Sequence, residues 1–234
     1  MRPQTKDPVR TVGAQPALAG EGLLKRYGDQ LALAGVDFAV QPGEAVAIVG
    51  PSGSGKSSLL HVLAGILRAD GGQIFLAGER IDQLSETKRS ELRRTEFGFV
   101  FQSGMLVAEL SAEENVALPA LLGGAGRSKA LAAGREWLTH LGLRGKEKRR
   151  PGELSGGEAQ RVAIARALCH QPSVIFADEP TGALDTRTGQ ETMNALLGAA
   201  ADSGAAVIVV THDRDLAAAL PRTVTIRDGR VITR

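Results

Sequence analysis

Cysteines, aromatic residues and long apolar runs are all scarce in this sequence. The 234 residues include one cysteine, Cys169, so the chain cannot form an internal disulfide, and a reducing, cytosolic compartment is expected. Aromatic residues make up only 3% of the chain, so Ala, Val, Leu and Ile must fill most of the core. No stretch reaches the roughly 18 consecutive apolar residues of a transmembrane helix, so we expect the chain not to cross a membrane by itself.

The chain also lacks a strong net charge, and we expect no signal peptide. The formal net charge is +2, which does not favour a dedicated nucleic-acid-binding protein. The first residues, MRPQTKDPVRTVGAQPA, contain no apolar segment of the kind that signal peptides carry. We therefore expect residues 1–16 to form a flexible extension and residues 17–234 to form the folded domain.

Three short apolar runs stand out against this background. AVAIVG (45–50), VIFAD (174–178) and AVIVVTH (206–212) are rich in Val and Ile, and each ends in a glycine or a polar residue. Such runs are typical of parallel strands buried on both faces. Helical patterns follow the first run at 56–67 and the second at 187–201, which predicts an α/β sheet with crossover helices.

The rest of the chain predicts two additions to this sheet. Turn signals at 27–29 and 41–43 divide the N-terminal third into strand-like segments, which favours a smaller antiparallel sheet. Residues 105–165 carry helical patterns and little strand character, so we expect a helical lobe there. The predicted fold class is therefore α/β, with a parallel sheet core, a small antiparallel β subdomain and a helical subdomain.

A phosphate-binding loop is predicted at residues 50–58, GPSGSGKSS, which match G-x-x-x-x-G-K-[ST]. Its glycines let backbone N–H groups face a phosphate, and the helix that follows adds the positive end of its dipole. Lys56 can reach the β- and γ-phosphates, and the Ser57 hydroxyl can bind Mg²⁺. The nucleotide-contacting residues predicted here are Gly50, Pro51, Ser52, Gly53, Ser54, Gly55, Lys56, Ser57 and Ser58.

Polar residues follow the other apolar runs. Asp178 can hold Mg²⁺, and Glu179 can orient and deprotonate an attacking water. His212 can contact the γ-phosphate or position the water, and Gln102, after the run GFVF, can bind Mg²⁺ or hold the water. A lone histidine or glutamine after a strand is usually structural, so these two assignments depend on their neighbours.

The stretch ELSGGEAQR (153–161) has the spacing of an N-terminal capping box, with Ser155 and Glu158 three positions apart. Two glycines, Gly156 and Gly157, lie inside the box, although each costs about 1 kcal/mol in a helix interior. The capping box alone does not explain why the first turn of a helix contains two glycines.

These segments, in this order, resemble those of the ATP-binding subunit of an ABC transporter, a P-loop NTPase, over residues 17–234. The resemblance implies that Tyr27 stacks on adenine, and that Asp185 is the acid of the GALD segment between two sites. It further implies a homodimer in which Ser155, Gly156 and Gly157 of one copy meet ATP held by the other. The residues implied to act in catalysis are Glu179, His212 and Lys56, and those implied to bind Mg²⁺ are Ser57, Gln102 and Asp178.

Two positions depart from the family pattern. The LSGGE segment ends in Glu158 where Gln is common, and the phosphate loop ends in Ser57-Ser58 where Ser-Thr is common.

The segment around ENVALP and the later ADEPTGALD are similar to ATPases that serve lipoprotein release, macrolide export and antimicrobial-peptide resistance. That similarity implies integral membrane permease partners, a peripheral place on the cytoplasmic face of the inner membrane, and no nucleic-acid partner. A cell-division ATPase that regulates a membrane partner stays open as an alternative.

Other classes of protein fit the sequence less well. Soluble ATPases of DNA repair and of chromosome organisation carry a long coiled coil between the phosphate loop and LSGGE, whereas Lys56 and Ser155 are only 99 positions apart here. The soluble ATPases of translation have two cassettes in one chain. A small-molecule kinase has no need of LSGGE, and a binding module with a dead site has no need of Glu179 and His212.

Overall fold

The structure, a computed structural model, describes residues 15–232. Its strands are β1 Leu18–Tyr27, β2 Gln30–Val40, β3 Ala45–Val49, β4 Gly71–Leu76, β5 Glu79–Arg80, β6 Phe97–Phe101, β7 Val174–Asp178, β8 Ala206–Val210, β9 Arg222–Arg227 and β10 Arg230–Ile232. Its helices are α1 Lys56–Leu63, α2 Glu86–Thr95, α3 Ala112–Leu122, α4 Arg127–His140, α5 Gly156–Leu168, α6 Thr186–Ser203 and α7 Arg214–Ala218, with a short 3-10 helix at Pro151–Glu153. The predicted N-terminal extension lies outside the described residues except for positions 15 and 16.

The core of the fold is a six-stranded sheet of order β10-β9-β3-β8-β7-β6. All of its neighbouring strands run parallel except β10, which pairs antiparallel with β9. The three predicted strands at its centre are confirmed, with β8 between β3 and β7. Their carboxyl ends therefore lie side by side at one edge of the sheet, where open α/β sheets bind ligands.

Alternate residues of these central strands are buried on opposite faces of the sheet. One face packs against α3 to α7 through Ala47, Ile175, Ala177, Val207 and Val209. The other packs against α1 and the antiparallel sheet through Val46, Ile48, Val174, Phe176, Ala206, Ile208 and Val210. Burial on both faces explains why the strands read as continuous apolar runs instead of alternating patterns.

The predicted antiparallel sheet is present, with four strands in the order β2-β1-β4-β5. A two-residue turn at Gly28-Asp29 joins β1 and β2, and Gly28 takes φ +56°, which favours glycine. The sequence patterns did not assign β4, β5 or α2. These elements lie in a polar segment whose strands are short or exposed and therefore give no apolar run.

The helical lobe is confirmed as α3, α4 and α5, which pack on one another between β6 and β7 in the chain. Helix α1 is shorter than predicted and ends at Leu63 instead of residue 67, because the chain turns at Gly65 with φ +64°. Within residues 15–232, no helix combines the length and the apolar composition that crossing a membrane requires.

Candidate nucleotide site

The predicted phosphate loop connects β3 to α1 at the ligand-binding edge of the sheet. Two of its glycines lie where no other residue fits: a Cβ on Gly50 would come within 2.0 Å of the Ile226 carbonyl oxygen, and one on Gly55 within 2.3 Å of that of Ala32. Lys56 Nζ donates to the carbonyl oxygens of Gly50 and Pro51, each at 3.0 Å. The lysine head therefore lies inside the curve of the loop, where a phosphate would bind.

The turn between β9 and β10 supports this loop from behind. The Gly229 N–H donates to the Ser54 carbonyl at 3.0 Å, and the Gly229 carbonyl accepts from the Ala34 N–H at 2.8 Å. Gly229 has φ +70°, and a Cβ there would lie 2.9 Å from the Ala32 carbonyl oxygen. The turn thus ties the phosphate loop to β2, a support that the sequence patterns did not indicate.

Replacing Gly229 with alanine is expected to weaken ATP binding about fivefold, because the turn must shift and its hydrogen bond to Ser54 is disturbed, a change of roughly 1 kcal/mol. Isothermal titration calorimetry measures the affinity. Gly204→Ala is the matched control. Gly204 has φ +73° and open space around it, so an alanine there causes backbone strain but no clash with a neighbouring atom. Equal ATP affinities of the two variants would contradict the supporting role of the turn.

Asp178, at the end of β7, lies beside the phosphate loop. Its Oδ1 accepts from the Ser57 hydroxyl at 3.3 Å, and His61 Nε2 on α1 lies 4.0 Å from its Oδ2. Burial raises the pKa of the Asp178 carboxyl, and the adjacent Glu179 carboxylate adds to the rise, whereas His61 and Ser57 oppose it. A bound cation would favour the ionised carboxylate, so the pair of oxygens from Ser57 and Asp178 suits a divalent metal.

Glu179 and His212 meet at the ends of β7 and β8. His212 Nδ1 lies 2.9 Å from Glu179 Oε1, within hydrogen-bond distance. Glu179 has φ +48°, an unusual value for a residue with a side chain, and its N–H donates to the Val210 carbonyl at 2.9 Å. The left-handed backbone ends β7 abruptly, and strain of this kind is concentrated at functional sites.

Tyr27 and Gln102 complete the surroundings of the site. The exposed Tyr27 ring lines a cleft of about 230 Å³ together with Gly53, Lys56 and Ser57, so an aromatic face is available beside the phosphate loop. Gln102 follows β6, and a Cβ on Gly182 would lie only 2.9 Å from its Nε2. The amide therefore lies against the turn that follows Glu179.

The predicted capping box at the start of α5 is present. The Glu158 N–H donates to Ser155 Oγ at 3.3 Å, and the Ser155 N–H donates to Glu158 Oε2 at 3.0 Å. Gly156 is exposed, whereas Gly157 is buried, and a Cβ on Gly157 would lie 2.4 Å from Thr188 Cγ2 on α6. Phosphate access is therefore not the only reason for a glycine at 157, since the Thr188 side chain of the same chain occupies the space that a Cβ would take.

Asp185 has a local role that the resemblance does not imply. It is the N-cap of α6, and its Oδ1 accepts from the Thr188 N–H at 3.0 Å. It is exposed on the same side of the molecule as Glu179 and His212, and all three line one cleft of about 300 Å³. The side chain and the backbone N–H of Thr188 both hydrogen-bond to this carboxylate and lower its pKa.

A comparison with protein families identifies the family of this chain. The family model described as ABC transporter matches residues 33–182, which include the phosphate loop, Gln102, the α5 capping box and Glu179. The chain belongs to the ABC transporter family. It is an ATP-binding and ATP-hydrolysing subunit, and its fold is that of an ABC ATPase with its antiparallel and helical subdomains.

Curated relatives cover most of this ABC ATPase. The lipoprotein-releasing system ATP-binding protein LolD 1 of Rhodospirillum rubrum is 46% identical over 200 residues, which are 86% of this chain and 88% of the relative. LolD 2 of Caulobacter vibrioides is 44% identical over 93% of this chain and 97% of its own length. The macrolide export ATP-binding/permease protein MacB of Nitrosomonas europaea is 45% identical over 93% of this chain and 34% of the relative.

Solved structures of ABC cassettes are similar as well. A dimeric post-hydrolysis state of the cassette MJ0796, bound to ADP and Pi, has a TM-score of 0.82 and 35% identity, over 92% of this chain and 97% of that chain. A second dimeric structure of MJ0796 has a TM-score of 0.83 and 36% identity over the same shares. The ABC ATPase fold is therefore shared over nearly the whole chain.

The fold of this ABC ATPase brings most of the predicted residues into two groups. The first surrounds the phosphate loop and comprises Tyr27, residues 50–58, Gln102, Asp178, Glu179 and His212. The second, made of Ser155, Gly156 and Gly157, lies at the start of α5 in the helical lobe and has no hydrogen bond to the first among the described residues. Sequence reasoning missed His61 and Gly229, which have no motif of their own.

Proposed function

We propose that this ABC ATPase drives the release of lipoproteins by hydrolysing Mg²⁺-ATP on the cytoplasmic face of a membrane that contains its separate permease subunits. The observation that carries this proposal is the set of relatives named as lipoprotein-releasing ATP-binding proteins, at 44–46% identity over 86–93% of the chain. Macrolide export is the second candidate, favoured by the 45% identity to MacB.

Mg²⁺ fits the residues at the end of β7. The Ser57 hydroxyl and the Asp178 carboxylate present two oxygens next to the phosphate loop, and Gln102 offers an amide oxygen from the neighbouring turn. Mg²⁺ prefers one or two protein oxygens together with phosphate oxygens and water, so a single carboxylate is sufficient. When bound, the ion would neutralise charge on the phosphates.

Glu179 is the proposed general base. Its carboxylate can accept a proton from the attacking water, and His212 at 2.9 Å holds that carboxylate in place and can orient the water. Lys56 would exchange the carbonyl oxygens of Gly50 and Pro51 for phosphate oxygens when ATP binds. Phosphoryl transfer depends mainly on such positioning and charge neutralisation, which these residues can provide.

A second copy of the chain would complete each site. The first N–H groups of α5 have no partner within the helix, Ser155 and Gly156 are exposed, and the helix dipole favours a negative ligand there. We propose that this helix end binds the γ-phosphate of ATP held by the phosphate loop of the other copy. Tyr27 would stack on adenine, and exposed Asp185 would face the other copy.

The proposal is tested by reconstitution. Tagged chain carrying Glu179→Gln, loaded with ATP, is expected to recover an integral membrane protein from detergent-solubilised membranes of its source organism. Unsubstituted chain and that protein, reconstituted in liposomes with a fluorescent lipoprotein, are expected to release it when ATP is added, and the Lys56→Met chain is expected not to. Macrolide efflux without lipoprotein release would support the second candidate, and recovery of no membrane protein would contradict both.

A further inference from the structure

The turn that carries Gln102 is held by side chains of α5. In this turn, residues 101–105, three carbonyl oxygens point toward the helix. Gln160 Nε2 donates to the Phe101 carbonyl at 2.9 Å. Arg166 donates through Nη2 to the Gly104 carbonyl and through Nη1 to the Met105 carbonyl, each at 2.7 Å. Two side chains of one helix thus hold both ends of the turn.

The backbone of the turn depends on this support. Gly104 has φ +68° and Met105 has φ +47°, and the Met105 side chain is 62% exposed, so packing does not fix it. A left-handed residue with a side chain costs about 1–3 kcal/mol and persists only where surrounding contacts impose it. The hydrogen bonds from α5 contribute such contacts, together with the bond from the Gly104 N–H to the Phe101 carbonyl at 3.0 Å and those of Asn115 to Val107.

Of the two supporting side chains, Gln160 is buried and Arg166 is partly buried, and each loses part of its contact with water. Gln160 is 3% exposed. Burial lowers the pKa of the Arg166 guanidinium, and within the described part of the chain no carboxylate lies within ion-pair distance of it. A partly buried charge without a counter-ion loses some of its hydration, and hydrogen bonds to the protein can compensate for that loss. The two carbonyls of the turn provide that compensation, so Arg166 and the turn stabilise each other.

The N-cap of the same helix is Ser155, the proposed contact for ATP of another copy. Helix α5 has 13 residues and is therefore about 20 Å long. In the proposed dimer, the start of α5 would face the nucleotide of the partner copy. Further along the helix, Gln160 and Arg166 hold the turn that carries Gln102. The Gln102 amide lies against Gly182, near the nucleotide site of its own chain. One helix thus contacts elements of two different nucleotide sites.

We propose that Gln160 and Arg166 make the turn 101–105 and helix α5 move as one body, and so couple the two nucleotide sites of the dimer. They are positioning residues, which act on Gln102 through the backbone of the turn and do not contact nucleotide. When α5 engages ATP of the partner copy, the Gln102 amide would move with it relative to Gly182, next to the residues that would hold the chain's own Mg²⁺. This inference rests on the proposed dimer.

The test uses hydrogen exchange in the Glu179→Gln chain with ATP. In the parent, peptides covering 101–106 are expected to become protected when the dimer forms. Arg166→Met keeps an apolar stem and removes the hydrogen-bond donors that hold the turn. Although the dimer still forms, hydrogen exchange in these peptides is expected to be at least about tenfold faster than in the Glu179→Gln parent. In the chain with Glu179 intact, kcat is expected to fall at least about tenfold with KM unchanged.

Three further variants separate positioning from general destabilisation. Arg94→Met is the matched control, because Arg94 is exposed and donates to the Leu122 carbonyl at 3.3 Å, away from the turn, so kcat should not change. Gln160→Leu should resemble Arg166→Met. Arg166→Lys keeps the charge without the two-pronged donor and should be intermediate.

The outcomes distinguish this inference from the proposed function. If the Glu179→Gln parent forms no dimer with ATP, the proposed dimer is wrong. If the parent dimerises but Arg166→Met and Gln160→Leu match it in exchange at 101–106 and in kcat, the coupling role is wrong. Should Arg166→Met fail to fold, Gln160→Leu and Arg166→Lys decide the question by the same measurements.

Discussion

Glu179→Gln is expected to reduce the rate of ATP hydrolysis by at least about 100-fold, because general-base catalysis contributes roughly 10²- to 10⁴-fold. The amide keeps the size of the carboxylate and a hydrogen-bonding group for His212, but it cannot accept a proton from water. ATP binding should persist, since Lys56 and Ser57 are unchanged, and the dimer should accumulate with ATP. Steady-state phosphate release and size-exclusion chromatography with ATP measure the two effects.

Glu191→Gln is the matched control for this substitution. Glu191 is exposed on α6 and pairs with Arg187 at 3.0 Å, an arrangement that contributes little to stability. Its hydrolysis rate should equal that of the parent chain. If Glu179→Gln hydrolyses ATP at the parental rate, Glu179 is not the base. If hydrolysis by the unsubstituted chain stays constant per chain at every dilution, the site does not need two copies.

Lys56→Met is expected to weaken ATP binding by roughly 10- to 100-fold, since each hydrogen bond to a charged group contributes about 1.5–3 kcal/mol. The loss has a second cause, which lies in the shape of the loop. Lys56 Nζ donates to the Gly50 and Pro51 carbonyls, so its removal also releases the loop from the curved shape that faces a phosphate. Isothermal titration calorimetry with Mg²⁺-ATP measures the affinity.

The control for this substitution is Lys129→Met, at an exposed position of α4. It removes one positive charge without touching the phosphate loop, so affinity should stay within about twofold of the parent. A Lys56→Met chain that binds ATP as tightly as the Lys129→Met chain would show that the lysine head does not contact phosphate.

The sequence is most informative where one local pattern determines the structure. The sequence predicts β3, β7 and β8 because strands buried on both faces must be apolar throughout. A polar residue follows each apolar run of β7 and β8, so Asp178 and His212 are expected at the same edge of the sheet. The phosphate loop is equally local, since its glycines and Lys56 lie within nine consecutive residues. The helical lobe follows from helical periodicity alone.

The features that were not predicted depend on contacts between distant segments. Gly229 supports the phosphate loop from 175 positions away, and Arg166 reaches a turn more than 60 positions before it. The left-handed backbone of Glu179 is similar in kind, since its N–H bonds to Val210 on the adjacent strand. Each of these depends on a partner that only the folded chain supplies.

The close approach of Gly157 on α5 to Thr188 on α6 has a consequence for the evolution of such chains. The gap between the two helices holds the methyl group of Thr188. No side chain fits at residue 157, because a Cβ there would lie 2.4 Å from that methyl carbon. The volume is therefore shared between two positions 31 apart in the sequence. Related chains that carry a side chain at 157 are therefore expected to lack the methyl group at 188.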